Sequence, residues 1–266
     1  MSMTVLAVGD IVGDRAASDL HALLHGGAIP HVDFIVVNGE NAAAGRGLTP
    51  SLARTILDAG ADVITSGNHI WDKIEIKDYI DGTDSVLRPA NYPDASPGIG
   101  YTIKKVAGWR ILVLNVLGVG FMDPPLACPF VITERILRRE LQYYDFALID
   151  IHAESTGEKL AFARYFDSLR ELRVAAIWGT HTHIPTSDVR ILPGGTGFVT
   201  DLGMTGPQDG VLGIKTENIL TFLRDKMPSR FSVSDGETVL EGVVFTIDEA
   251  TAQTKKAVRV TASFGA

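Results

Sequence analysis

The sequence holds a single cysteine, Cys128, among 266 residues. No internal disulfide can form, so nothing ties the chain to an oxidising compartment, and Cys128 is expected to be a small buried or loop residue. No apolar run approaches the roughly 18 residues that a membrane-spanning helix requires. The opening Met1-Ser2-Met3-Thr4-Val5-Leu6 carries no basic segment and no cleavage signal, so it reads as the start of a first strand. A cytoplasmic location is expected. Basic clusters are missing too: 24 Lys and Arg stand against 32 Asp and Glu, a net charge of −8. Binding to duplex nucleic acid leans on neutralising phosphates and is therefore not expected. An acidic chain can still handle small phosphate esters where metal cations supply local positive charge. There are no repeats, no linker-like stretch and no coiled-coil heptad. With 45% hydrophobic residues, the length suits one domain spanning residues 1–266, and association into a homo-oligomer is left open.

What is present is an alternation of apolar, β-branched runs with helical patterns. Residues 4–9 and 34–37 are strand-like, the first ending at Asp10 and the second at Asn38-Gly39-Glu40-Asn41. A helix follows, with Thr49 as N-cap, Pro50 at the first helical position, Leu52, Ile56 and Leu57 on an apolar face, and Gly60 as the stop. Val63–Thr65 runs into Ser66-Gly67-Asn68-His69. Residues 88–100 read as a loop, Tyr101–Val106 and 110–117 as strands joined by a turn at Gly108, and 118–129 as a Gly/Pro loop that walls a pocket. Residues 132–141 and 158–172 form helices, the second with an apolar face of Leu160, Ala163, Phe166, Leu169 and Leu172. Strand 146–151 ends in His152, and strand 174–178 ends in Gly179-Thr180-His181-Thr182-His183. Beyond that the chain reads mainly as β, through 189–192, 197–200, 238–247 and 257–262, with a helix around Thr216–Leu223. An early βαβ order followed by a strand-rich second half predicts an α/β fold: a sandwich of two sheets flanked by helices.

Strand-like runs thus end at Asp10, at Glu40-Asn41, at Asn68-His69, at His152, and at His181 and His183. In open α/β sheets ligands bind beyond the carboxyl ends of the strands, so parallel neighbours would bring these side chains to one rim. Carboxylates, an amide oxygen and imidazoles suit borderline divalent metals such as Mn, Fe, Zn or Co, and no thiolate stands near to suggest a structural zinc site. The set is too large for one tetrahedral ion and suits two ions roughly 3.5–4 Å apart, bridged by a carboxylate. His21, His25 and His31 flank Gly26-Gly27 and read as ordinary helix and loop residues.

These motifs resemble the calcineurin-like metallophosphoesterases, whose four-layer αββα fold they imply. Gly67-Asn68-His69 is similar to the superfamily's Gly-Asn-His, Gly179-Thr180-His181-Thr182-His183 to its closing Gly-His-x-His, Asp10 to the first residue of its Asp-x-His, and His152 to its lone histidine after a middle strand. Val12 stands where the opening histidine belongs, and Gly39-Glu40-Asn41 where the superfamily has Gly-Asp. Both departures resemble one bacterial subgroup, the YmdB-like phosphodiesterases, as do Trp71-Asp72-Lys73, Arg88-Pro89-Ala90-Asn91, Pro124-Pro125-Leu126, Cys128-Pro129-Phe130, His152-Ala153-Glu154 and residues 201–207. The resemblance implies one ion on Asp10, Glu40, Asn41 and His183 and a second on Glu40, Asn68, His152 and His181, with iron or manganese expected first and zinc also compatible. His69 would be left free as a general acid. An acidic residue orients this histidine in the superfamily, but Ile70 occupies that place, so Asp72 or a backbone carbonyl is the candidate.

The implied chemistry is attack on phosphorus by a hydroxide generated between the ions, with a histidine protonating the leaving alkoxide. The resemblance favours phosphodiesters, with cyclic nucleotides including 2′,3′-cyclic AMP first among them. Phe121 and Phe130 either stack on a base or anchor their loop to the core. Two other readings stand beside this one: a phosphomonoesterase acting on a small metabolite, and a regulatory protein whose vestigial metal site binds a nucleotide or a partner.

Overall fold

The structure is a computed structural model that describes residues 2–264. Met1, read above as part of the first strand, lies outside them. In chain order the strands are β1 (Ser2–Val8), β2 (Asp10–Ile11), β3 (Phe34–Asn38), β4 (Val63–Thr65), β5 (Tyr101–Val106), β6 (Trp109–Leu117), β7 (Phe146–His152), β8 (Val174–Thr180), β9 (Arg190–Ile191), β10 (Gly197–Val199), β11 (Met204–Pro207), β12 (Thr238–Asp248) and β13 (Thr254–Ser263). The helices are α1 (Asp14–His25), α2 (Pro50–Asp58), α3 (Ile76–Asp81), α4 (Pro129–Glu140), α5 (Thr156–Ser168) and α6 (Thr216–Leu223).

Two sheets form. One has the order β2-β11-β12-β1-β3-β4, with β13 also paired to β12, and the other β5-β6-β7-β8-β10-β9. β1, β3 and β4 are mutually parallel, as are β6, β7, β8 and β10. Alternation along each strand sets the layers, because successive side chains point to opposite faces. In β1, Val5 and Ala7 enter the core between the sheets, while Leu6 and Val8 face the layer of α1 and α2 with Leu20, Leu23 and Ile56. In β7, Phe146 and Leu148 enter the shared core, while Ala147, Ile149 and Ile151 face α4 and α5 with Ile136, Leu137, Phe162 and Phe166. Trp178 of β8 stacks on Phe245 of β12 at a centroid distance of 6.0 Å, joining the two sheets. Each fully buried side chain of this size contributes about 1.5–3 kcal/mol. The result is the helix–sheet–sheet–helix sandwich expected from the sequence.

Helix ends follow their caps. Thr49 Oγ1 accepts the Leu52 N–H at 3.3 Å and starts α2 at Pro50, as anticipated. Ser155 Oγ accepts the Glu158 N–H at 3.3 Å, so α5 begins at Thr156, ahead of the expected 158. The same segment breaks after Ser168 into a 3-10 turn, Arg170–Leu172, and Arg173 then takes a left-handed backbone. The 158–172 helix is thus two elements, although its apolar face stays buried through Phe166 and Leu172. Among the described residues no helix is long and apolar enough to cross a membrane.

Candidate metal centre

Parallel strands from both sheets deliver their carboxyl ends to one place. Asp10 follows β1, Glu40 and Asn41 follow β3, Asn68 and His69 follow β4, His152 closes β7, and His181 and His183 follow β8. The fold brings all eight together. Glu40, His152 and His181 offer ligand atoms within 4.8 Å of one another. Asn68 Oδ1 lies 3.2 Å from His152 Nε2, and Asp10 Oδ1 lies 3.9 Å from His183 Nε2. Asn41 reaches the same His183 nitrogen at 3.1 Å through its amide, and a half-turn of that amide would offer oxygen instead. Val12, the departure noted above, is a buried core residue whose backbone bridges Asn41 in parallel. Asn41 therefore stands beside the position a histidine at 12 would have used.

Each imidazole has its tautomer set from outside the cluster. Asn38, Thr65 and Thr180 all donate to the buried Asp150 carboxylate, Thr180 at 2.7 Å. With its proton committed there, Thr180 Oγ1 accepts from His152 Nδ1 at 2.9 Å, which leaves a lone pair on His152 Nε2. His181 Nε2 meets the Glu154 carboxylate at 3.2 Å, which leaves the Nδ1 lone pair facing His152 Nε2 at 3.1 Å. His183 Nδ1 points to the Leu212 carbonyl at 3.4 Å, leaving Nε2 toward Asp10 and Asn41. Outer hydrogen bonds of this kind are what orient imidazoles for metal binding.

The inner atoms then face one another with little to donate. Asp10 and Glu40 are fully buried, and Asp10 Oδ1 and Glu40 Oε1 accept no hydrogen bond. Glu40 Oε1 lies 3.1 Å from the lone pair of His152 Nε2. Buried acceptors without donors are costly unless a cation compensates them. The pKa shifts tell the same story. Burial pushes both carboxyls up, Asp10 with help from the charges of Asp201, Glu40 and Asp150. Burial pulls His152 well below its ordinary range, lowers His183, and takes His181 to about 4 with further help from His152. The imidazoles are thus neutral at pH 7, as metal binding would require, and the oxygen–nitrogen donor set without thiolate fits divalent metal ions.

His181 and His183 adopt positive φ angles of 97° and 63°. Such residues cost on the order of 1–3 kcal/mol each and persist only where the surroundings enforce them. Here Asp201 does so. Its carboxylate accepts Thr182 N–H at 3.1 Å, Thr182 Oγ1 at 2.7 Å and the Nζ of fully buried Lys159 at 2.8 Å. Asp10 Oδ2 accepts the His181 N–H at 3.2 Å.

His69 stands apart from these inner contacts. Its backbone N–H donates to Glu40 Oε2 at 3.3 Å, its Nδ1 lies 3.0 Å from Asp72 Oδ2, and its Nε2 lies 3.3 Å from the Asn68 amide nitrogen. Arg46 binds the same Asp72 carboxylate. Of the two orienting groups anticipated, the carboxylate of Asp72 is the one beside Nδ1, and Arg46 Nε also donates to that nitrogen at 3.1 Å. Thr180, Glu154 and Asp201 stood in the motif stretches quoted from the sequence without a role assigned to them, and Asp150 and Lys159 were not singled out. Asp150 left a trace only as a charged residue inside an otherwise apolar run.

Gly67 explains why glycine precedes Asn68. A Cβ there would lie 2.0 Å from Glu40 Oε2 and 2.3 Å from His152 Nε2. Gly67→Ala is therefore expected to strip metal from the purified protein, at a folding cost of about 1–3 kcal/mol from overpacking. Elemental analysis checks this, and a Gly67→Ala protein with wild-type metal content would contradict the arrangement described.

The chain matches known proteins over nearly its whole length. A family model described as YmdB-like protein matches residues 6–260. A Bacillus subtilis (strain 168) protein named 2′,3′-cyclic-nucleotide 2′-phosphodiesterase is 44% identical over 261 residues, covering 97% of this chain and 95% of its own. The crystal structure of a hypothetical protein from Thermus thermophilus superposes with a TM-score of 0.88 at 34% identity, covering 98% of this chain and 99% of the other. That of a Mycoplasma pneumoniae protein titled a novel phosphatase also gives 0.88, at 29% identity with 99% and 94% covered.

Proposed function

This chain belongs to the YmdB-like protein family, and from that premise we propose that it is a two-metal phosphodiesterase acting on cyclic nucleotides such as 2′,3′-cyclic AMP. The observation that carries the metal reading is the pair of buried acceptors, Asp10 Oδ1 and Glu40 Oε1, that accept no hydrogen bond beside three outward-anchored imidazoles. Asp10, Glu40, Asn41 and His183 would hold one ion, and Glu40, Asn68, His152 and His181 the other, with iron or manganese ahead of zinc. When bound, such ions acidify water and offset the charge that develops on a phosphate in its transition state. The substrate reading follows the Bacillus subtilis relative, whose name states a 2′,3′-cyclic-nucleotide 2′-phosphodiesterase. The whole chain works as one cytoplasmic domain in this proposal.

The chain's own part is to place groups and a proton. Glu40 holds both halves of the cluster with one carboxylate. Thr180 and Asp150 keep His152 in its ligating tautomer, and Glu154 does so for His181. His69 delivers a proton from Nε2 to the leaving oxygen, while the Asp72 carboxylate, 3.0 Å from Nδ1, stabilises the charged ring and fixes its position. Asp72→Asn is expected to lower kcat by roughly 10–10²-fold, part of the 10²–10⁴-fold that a general acid supplies, with KM and metal content unchanged. Steady-state kinetics beside elemental analysis checks it, and unchanged kcat would remove Asp72 from this role.

The function itself is tested by comparing rates on a model diester, bis-p-nitrophenyl phosphate, and the monoester p-nitrophenyl phosphate. Diester turnover well above monoester turnover is expected. The reverse order would favour a phosphomonoesterase, and metal binding without turnover of either would favour a regulatory binding protein.

A further inference from the structure

Of the two aromatics weighed above, Phe121 in the loop after β6 and Phe130 in the first turn of α4, the structure separates the roles. Phe130 is packed against Phe162 and Tyr165 at centroid distances of 5.3 and 5.7 Å, an anchor in the helical layer. Phe121 is 92% exposed and takes a positive φ of 63°. A bulky residue in that backbone region is a strained outlier, and the strain gains it no burial.

The loop that displays Phe121 is tied down at both ends. Gly118 N–H donates to the His152 carbonyl at 2.9 Å, and Val119 and Gly120 N–H groups donate to the Glu158 carboxylate at 2.9 and 3.0 Å. The Asn91 amide donates to the carbonyls of Leu117 at 2.8 Å and Ala127 at 3.0 Å, and its oxygen accepts Leu117 N–H at 2.9 Å. Met122, directly after the exposed ring, is only 9% exposed and plugs the loop into the body. The ring is therefore presented by a clamped support.

Its place is beside the metal centre. A Cβ on Gly120 would lie 3.3 Å from Ser155 Cβ. Ser155 follows Glu154, whose carboxylate meets His181 at 3.2 Å, and Gly118 rests on the backbone of His152 itself. Phe121 thus directly follows a residue packed on Ser155, which is next in sequence to Glu154 of the cluster.

We infer that Phe121 is a stacking platform for the base of a nucleotide ester whose phosphate sits at the metal centre. This rests on the phosphodiesterase reading above. A flat apolar face with no hydrogen-bonding partner recognises a base by its π-face, which every base has, so the subsite would favour nucleotides over base-free phosphates with little preference among bases.

The test compares kcat/KM of manganese-loaded wild type, Phe121→Ala and Phe121→Trp on 2′,3′-cyclic AMP and on the 2′,3′-cyclic phosphate of 1-O-methylribose, which lacks the base. Phe121→Ala should lose about 5- to 150-fold on the nucleotide, mainly through KM, and nothing on the base-free ester. Phe121→Trp should restore it. Equal effects on both esters, or none on either, would overturn the subsite. Calorimetric binding of adenosine 3′-monophosphate, the product of 2′-ester cleavage, and of base-free ribose 3-phosphate to the same proteins reads the discrimination without turnover. A Phe121-dependent preference for the nucleotide in binding, with no hydrolysis by wild type, would sink the phosphodiesterase reading and uphold the subsite. Hydrolysis of the diester by a wild type that binds the nucleotide no better than the base-free phosphate would do the opposite.

Discussion

Glu40→Gln is expected to reduce turnover on any phosphodiester by about 10³-fold or more while leaving the protein folded. The size follows from the role. A carboxylate shared by two cations contributes several kcal/mol, and each ~1.4 kcal/mol is a factor of ten in rate. The fold should tolerate the change because the carboxyl is fully buried, is pushed toward its neutral form by that burial, and leaves Oε1 without a hydrogen bond. An amide nitrogen in the place of Oε1 would donate to the His152 Nε2 lone pair, 3.1 Å away. The substitution therefore replaces a cation by a hydrogen bond. Melting temperature of the metal-free protein should hold or rise, while metal content and rate collapse. Full activity with bound metal in Glu40→Gln would exclude Glu40 as the bridge.

His69→Ala should lower turnover by roughly 10²–10⁴-fold with metal retained. The side chain touches Asp72 through Nδ1 and the Asn68 amide nitrogen through Nε2, whereas the bond to Glu40 comes from the backbone N–H and survives truncation. The loss should depend on the leaving group. A ribose alkoxide needs a proton as it departs and a p-nitrophenolate needs one far less, so 2′,3′-cyclic AMP should suffer more than bis-p-nitrophenyl phosphate. Loss of metal from His69→Ala, or an equal loss on both esters, would show that His69 is not the proton donor.

The strand ends were legible because short β-branched runs stop abruptly at polar residues, and parallel strands carry such stops to a common edge. Asp10, Glu40, Asn41, Asn68, His69, His152, His181 and His183 could all be named that way. The residues behind them could not. Asn38 meets Asp150 across 112 residues of sequence, and no local pattern ties a threonine in β8 to the tautomer of a histidine in β7. Lys159 lies on α5 where a solvent-facing lysine would be unremarked, yet it is buried against Asp201 because the loop carrying His181 and His183 needs a charged anchor. Strand β2 has two residues and pairs with β11, far along the chain, so periodicity cannot reveal it. Helix α1 begins after Gly13 with no side-chain cap, which removes the usual start signal. Asp72 could be offered only as one of two orienting groups, and Arg46, which also reaches His69 Nδ1, could not be named at all, because both contacts depend on how residues 69–72 turn.

Whether these residues hold cations that drive diester hydrolysis is tested most directly by stripping the protein with chelator, restoring manganese stepwise, and following hydrolysis of 2′,3′-cyclic AMP. Activity absent from the stripped protein and reaching its plateau at two equivalents of metal is the predicted result. Tight binding of metal with no hydrolysis at any stoichiometry, or undiminished hydrolysis by the stripped protein, would contradict it.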